Sequence, residues 1–305
     1  MISQSTVFIL GAGASVPYGF DTGERLLEGA RRLNVEQIVT LIHPFPRSAA
    51  EPLRDALIHT GDQSIDAMLE TAHHIQAPGK ALIARLLLQQ ERNALFSNHT
   101  APRGWYRTLF TAMAAQTPEE AVTQPVRFVT FNYDRSLEYS LAHAWRVKYH
   151  ADRLVDPAGL QKMFIHLHGQ LGFLPEVGGP GPVVAYGGSQ NEITEGDVLN
   201  AQRAIQIVGE AHTDAPQFLE ARNVIQSAGR IVFIGFSFAT QNVERLQLLS
   251  CMKPSAALFV CLTGTPPARR AQIFQAVFRE SSDRVLGDEG QDAYEFLRQN
   301  PRALE

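Results

Sequence analysis

Two short segments of the chain hold side chains able to orient and deprotonate a hydroxyl: Thr130-Phe-Asn132-Tyr-Asp134 and Ile165-His166-Leu-His168-Gly169. The Asn132 carboxamide can orient a water or a sugar hydroxyl and stays uncharged at any pH, although a turn-forming Asn is equally common. Asp134 can cap a helix that follows it. In a strand, His166 and His168 would share a face, where two imidazoles could ligate a metal. With no carboxylate or cysteine at ligand spacing, a single titrating base is the better reading, and a hydrogen-bonded histidine at a strand end is the plainer one. Two glycine turns complete the set. Gly11-Ala-Gly13-Ala-Ser15 suits approach of a phosphate to backbone N–H groups at a helix N-terminus. As a dinucleotide fingerprint it is incomplete: Val16 replaces the third glycine, and no clear second strand brings a ribose-binding acid, so a plain strand-to-helix turn also explains it. Ile234-Gly235-Phe-Ser237-Phe, with Asn242 beyond it, can close around a phosphate or ribose. Ala239, where a nucleophile elbow needs glycine, argues against a serine hydrolase.

Each of these groups needs a rigid element to hold it, and the flanking residues supply one. Apolar runs rich in β-branched and aromatic residues cover Thr6–Leu10, Val126–Phe131, Met163–Leu167 and Arg230–Ile234; a fifth, Ala257–Leu262, precedes a Gly264/Pro266/Pro267 turn. Amphipathic stretches such as Tyr133–Trp145 and Pro216–Ala228 lie between them. The alternation predicts an α/β fold with a Rossmann-like parallel sheet covered on both faces and ligands at the carboxyl ends of its strands. The long interval between Gly13 and Val126 is expected to be a helical insertion at 36–120, packed on one end of the sheet. It would contain helices at Leu53–His59, Ser64–Ile75, Lys80–Phe96 and Trp105–Ala115, N-caps at Asp62 and Ser64, and breakers at Pro78-Gly79 and Pro102. The sheet domain would then comprise 1–35 and 121–290, with a Gly/Pro-rich loop at 172–190 and a C-terminal helix and tail at 291–305.

The charge balance, 27 Lys+Arg against 31 Asp+Glu, lacks the basic stripe of a nucleic-acid binder, so direct nucleic-acid recognition is not expected. The two cysteines, Cys251 and Cys261, cannot build a four-ligand zinc module and read as buried thiols. The apolar run at Val7–Leu10 is too short for a signal peptide, and no stretch reaches membrane-spanning length; a cytoplasmic location is expected.

Taken in order, the glycine turn, Asn-Tyr-Asp, His-Gly and Gly-x-Ser resemble the sirtuin family of NAD-dependent enzymes, in particular the bacterial sirtuin-like branch found in anti-phage defence. The resemblance runs from residue 7 to about 262. It implies that Ala12, Gly13, Ala14 and Ser15 form the pyrophosphate site and that Asn132 and Asp134 face the nicotinamide-ribose. It also implies that His168 is the catalytic histidine, and that Gly235, Ser237 and Asn242 meet ribose and adenosine. His166 has no counterpart. Departures from the deacylating sirtuins favour the defence branch, whose members hydrolyse NAD+ and carry a helical insertion. No four-cysteine zinc module exists, and Phe20-Asp-Thr-Gly-Glu24 stands where deacylases carry an Ile-Pro-Asp-Phe-Arg-like segment. Tyr133 follows Asn132 in place of Ile or Val, and a Gly/Pro-rich loop follows His168. The resemblance thus implies an NAD+ glycohydrolase that takes NAD+ as substrate and needs no metal. A protein deacylase and a non-catalytic NAD or ADP-ribose sensor are the alternatives. Because unchecked NAD+ hydrolysis is toxic, control is expected from homo-oligomerisation or from a partner such as an ATPase or a nucleic-acid-recognising subunit.

Overall fold

Six strands form one all-parallel sheet among the described residues: β1 (Thr6–Leu10), β2 (Val126–Thr130), β3 (Phe164–His166), β4 (Arg230–Ile234), β5 (Ala257–Cys261) and β6 (Arg284–Leu286). Their order is β3-β2-β1-β4-β5-β6. This computed structural model describes residues 2–96, 104–150, 156–189, 192–207, 210, 213–277 and 283–305. Alternate side chains leave each strand on opposite faces, so an apolar run with no polar break serves two cores. Phe8, Leu10, Val232 and Ile234 enter one apolar cluster, while Val7, Ile9, Ile231 and Phe233 enter the other. The strand order is that of a doubly wound Rossmann-like sheet, and its direction of growth reverses between β1 and β4. β2, β3 and β5 stop one residue short of the expected ends, and β3 also starts one residue late. β6 was not foreseen: unlike β3, whose three residues lie inside the longer apolar run Met163–Leu167, Arg284-Val-Leu286 stands between polar residues.

The interval between β1 and β2 is helical: α1 (Gly23–Arg31), α2 (Val35–Leu41), α3 (Arg47–His59), α4 (Ile65–Thr71), α5 (Gln76–Phe96), α6 (Trp105–Ala112) and α7 (Pro118–Val122). Side-chain caps set several starts. Asn34 with Gln37 and Thr117 with Glu120 form capping boxes, and Ser64 caps α4 through the Ala67 N–H. Asp62 caps nothing and bonds Thr60 instead. The expected helix at 64–75 breaks after Thr71 into a 3₁₀ turn, His73–Ile75. Pro78-Gly79 does not break the chain. It lies in the first turn of α5, where a missing N–H costs no hydrogen bond. Pro102 falls outside the described residues. No element boundary falls at 36 or at 120, which lie inside α2 and α7.

The remaining helices are α8 (Ser136–Lys148), α9 (Pro157–Met163), α10 (Glu195–Ala204), α11 (Pro216–Ser227), α12 (Thr240–Arg245), α13 (Leu248–Cys251), α14 (Pro267–Val277) and α15 (Ala293–Gln299). Ile38, Leu53, Leu69, Leu88 and Leu109 share one continuous apolar cluster with Phe8, Phe128 and Phe259 of the sheet, and Phe296 and Leu297 of α15 join the same cluster. No helix among the described residues is long and apolar enough to cross a membrane.

Candidate functional site

A cavity of about 600 Å³ opens at the carboxyl ends of the strands, around the β1/β4 switch point. The turns after β1, β2, β3, β4 and β5 form its floor, and residues of α1, α4, α5 and α12 wall it. Open α/β sheets hold their ligands in this crevice.

The two glycine turns meet backbone to backbone at its base. The N–H of Gly11 donates to the Ile234 carbonyl at 3.1 Å and that of Gly13 to the Gly235 carbonyl at 3.2 Å. Gly235 has φ of 62°, and a Cβ placed there would lie 2.0 Å from the Ala14 nitrogen, so only glycine lets the turns touch. The expected helix N-terminus is not present: Ala12–Ala14 and Val16–Tyr18 are successive 3₁₀ turns, and the first α-helix begins at Gly23. Nor are the N–H donors of Gly13, Ala14 and Ser15 free. Ala14 N–H donates to Gly11 and Ser15 N–H to Ala12. Ala12 and Gly13 line the cavity, whereas Ala14 and Ser15 lie buried behind it. There Ala14 accepts from Trp105 Nε1 at 2.8 Å, and Ser15 Oγ donates to Asp134 Oδ2 at 2.8 Å.

Asn132 is pinned from both sides. Its main-chain N–H donates to Thr130 Oγ1, and its carboxamide Nδ2 donates to the Gly11 carbonyl at 3.1 Å and to Ser15 Oγ at 3.2 Å. With both amide hydrogens committed, Oδ1 is left as a buried acceptor without a partner among the described residues. Asp134 also lines the cavity, but its carboxylate is already engaged. Oδ1 accepts from the N–H and hydroxyl of Ser136 at the start of α8, and Oδ2 accepts from Ser15. Burial raises its pKa against the opposing pull of those bonds.

His168 is buried, and neither of its ring nitrogens has a hydrogen-bond partner among the described residues. The rings of Phe131 and Phe218 stand 5.8 and 5.9 Å away. Burial, with a smaller contribution from the Arg245 charge, lowers its pKa to about 4, so the imidazole is neutral near pH 7. A neutral imidazole offers one N–H and one lone pair, and leaving both buried and unpaired costs stability that a bound hydroxyl or water can restore. Gly169 has φ of 70°, and a Cβ there would lie 2.0 Å from the Ala204 carbonyl oxygen. The chain end of α10 thus passes close enough for Gln206 N–H to bind the His168 carbonyl at 2.8 Å.

The two histidines do not share a face. β3 ends at His166 and the chain turns, which sends His168 into the cavity and His166 toward α8. There His166 Nε2 meets Glu138 Oε1 at 2.8 Å, and Nδ1 meets the Asn132 carbonyl at 2.9 Å. Among the described residues, no three His, Cys, Asp or Glu side chains are grouped to hold a metal ion.

Gly235, Ser237 and Asn242 all line the cavity. Asn242 sits on α12, which Gln241 and Arg245 tie to Glu70 of α4 at 3.4 and 3.6 Å. Several lining residues were not assigned to the site from the sequence: Asp21, Glu24, Asp66, Tyr133, Cys261 and the Thr263–Thr265 turn. Tyr133 Oη donates to Asp66 Oδ1 at 2.5 Å, which joins α4 to the loop after β2. The Thr263–Thr265 turn could have been found from its place after the fifth apolar run. Asp66 could not, since it reads as an ordinary first-turn acid behind the Ser64 cap. With Asp134, the cavity carries four carboxylates, and no lysine or arginine lines it among the described residues. Such a field favours a cationic group over an added anion. Compared with family models and with curated proteins, the chain matches none.

Proposed function

We propose that the chain cleaves the N-glycosidic bond of NAD+, releasing nicotinamide and leaving ADP-ribose, with water as nucleophile. One juxtaposition carries this reading: in a single cavity at the sheet's switch point, Asn132 keeps a buried carbonyl oxygen and His168 two buried ring nitrogens for which the described residues offer no partner. The ribose hydroxyls of NAD+ and a water molecule are of the kind that would satisfy them. The carboxylates of the cavity favour the nicotinamide cation and the positive ribose that forms as the bond breaks, while they oppose the pyrophosphate, so the charge supports the reacting end of NAD+ alone. Thr22, Ser64 and Ser237 line the same cavity, and their hydroxyls can donate to the pyrophosphate, since the N–H groups of Gly13, Ala14 and Ser15 in the glycine turn are engaged.

Nicotinamide leaves as a neutral ring that takes the bonding electron pair, so no general acid is required. The ribose carbon is left electron-poor, water adds to it, and the water's proton passes to neutral His168 directly or through a hydroxyl. Asn132 Oδ1 orients that water or a ribose hydroxyl. Fixing the nucleophile in place can contribute roughly 7–11 kcal/mol, more than the ~10²–10⁴-fold of general-base catalysis, so positioning is assigned the larger share. NAD+ depletion in anti-phage defence, a cytoplasmic location, a homo-oligomeric state and a regulatory partner belong to this proposal through the sirtuin-like resemblance alone.

Incubation with NAD+, with and without an acetyl-lysine peptide, followed by chromatography, tests it. Nicotinamide should appear without peptide. Release only with peptide would assign a deacylase, and NAD+ bound but unconsumed would assign a sensor.

A further inference from the structure

We propose that His166 is a positioning residue for Asn132, acting on the Asn132 main-chain carbonyl while Glu138 holds the imidazole. The inference rests on the role given to Asn132 above. His166 and Glu138 are both buried, with side-chain exposures of 7% and 10%. The Asn132 carbonyl can only accept, so His166 Nδ1 bears a proton and donates it. Glu138 Oε1 at 2.8 Å from Nε2 accepts as a carboxylate, and the ring is then doubly protonated inside the protein. Burial opposes that charge, but the Glu138 carboxylate, the two hydrogen bonds and nearby Asp134 together raise the imidazole's pKa above its ordinary value.

The arrangement ties three elements at one peptide unit. His166 is the last residue of β3, Glu138 is in the first turn of α8, and Asn132 lies in the loop between β2 and α8. On its other side, the Asn132 side chain is held by Gly11 and Ser15. Freeing its carbonyl would let the residue rotate about a fixed amide and shift Oδ1, and a misplacement of about 1 Å can cost on the order of 10²-fold in rate. His166 itself faces away from the cavity, so its loss removes no ligand contact.

The test compares nicotinamide release from NAD+, as kcat and KM separately, and thermal unfolding for wild type, His166→Ala, Glu138→Leu and Glu138→Gln. His166→Ala and Glu138→Leu should lower kcat by about 10–10²-fold with KM nearly unchanged. Glu138→Gln should recover much of that loss, because its amide can donate to Nε2 and keep the Nδ1 proton on Asn132. If His166→Ala does not fold, the Leu-against-Gln comparison at Glu138 carries the test. Unchanged kcat in both disruptive variants would overturn the inference, as would a loss that tracks only the folded fraction or a Glu138→Gln variant no better than Glu138→Leu. A wild type that releases no nicotinamide overturns the proposed activity and this inference together; an active wild type with indifferent variants overturns only the inference.

Discussion

At the scale of single residues, the site is marked by polar atoms that the fold leaves unpaired. Replacing His168 by leucine removes two such nitrogens, so His168→Leu should be as stable as wild type at pH 7, or more so by up to about 2 kcal/mol, while nicotinamide release falls by about 10²–10⁴-fold. The same burial makes stability depend on pH. The folded-state pKa of about 4 lies below the ordinary 6.5, so between these values the unfolded chain takes up the proton and the folded one does not. Stability from this source is complete above about pH 6.5 and is lost as pH falls toward 4. Urea unfolding should show wild type losing about 3 kcal/mol more than His168→Leu between pH 7 and pH 4. For activity, kcat/KM, which reports the free enzyme, should hold steady from pH 8 down to about 5 and fall on a limb near pH 4. A limb near 6.5 would show a solvated histidine instead. Asn132 and His168 could be picked out from the sequence because each stands at the end of an apolar run. The divergence of His166 from His168 could not, because it depends on β3 ending at residue 166 and not one residue later.

At the scale of elements, a buried ion pair joins the insertion to the site. Arg135, fully buried after Asp134, donates Nε and Nη2 to the two Glu91 oxygens of α5 at 3.1 and 2.6 Å. Its Nη1 donates to the Val184 and Gly172 carbonyls, and Glu91 also accepts from the Gly187 N–H. Every charge is therefore matched, and removing one partner strands the other in the interior. Arg135→Ala or Glu91→Ala should each cost about 3–5 kcal/mol in denaturant unfolding, and the double variant less than the sum. The four five-residue strands were legible from their β-branched runs, as was β3 from the longer apolar run around it, and so were the α5 and α6 segments of the insertion. The order within 172–189 was not, because its Gly/Pro content reads as loop while its fixed points are contacts to Arg135, made far along the chain, and a single Phe173–Val183 bridge that no periodicity marks. Pro78-Gly79 misled for a related reason: a proline breaks a helix interior but suits a first turn, and only the fold shows which position it holds.

At the scale of the whole molecule, the insertion, one sheet face and the C-terminal helix share a single apolar cluster. Insertion and sheet should consequently unfold in one cooperative transition by calorimetry, and two separated transitions would contradict a shared core. Deleting residues 292–305 removes Phe296 and Leu297 from that cluster, and each fully buried side chain of this kind contributes roughly 1.5–3 kcal/mol. The truncated chain should unfold at markedly lower denaturant. The sheet order itself places Asn132, His168 and the two glycine turns around one crevice. Four segments spread over more than a hundred residues thus become one site only through the crossover at β1 and β4. The most direct test of that site is nicotinamide release from NAD+ by wild type, Asn132→Ala and His168→Ala at equal concentration of folded protein. Steady release by wild type, reduced by about 10²-fold or more in both variants, is the predicted result. Release that survives in both variants, or is absent from wild type, would contradict it.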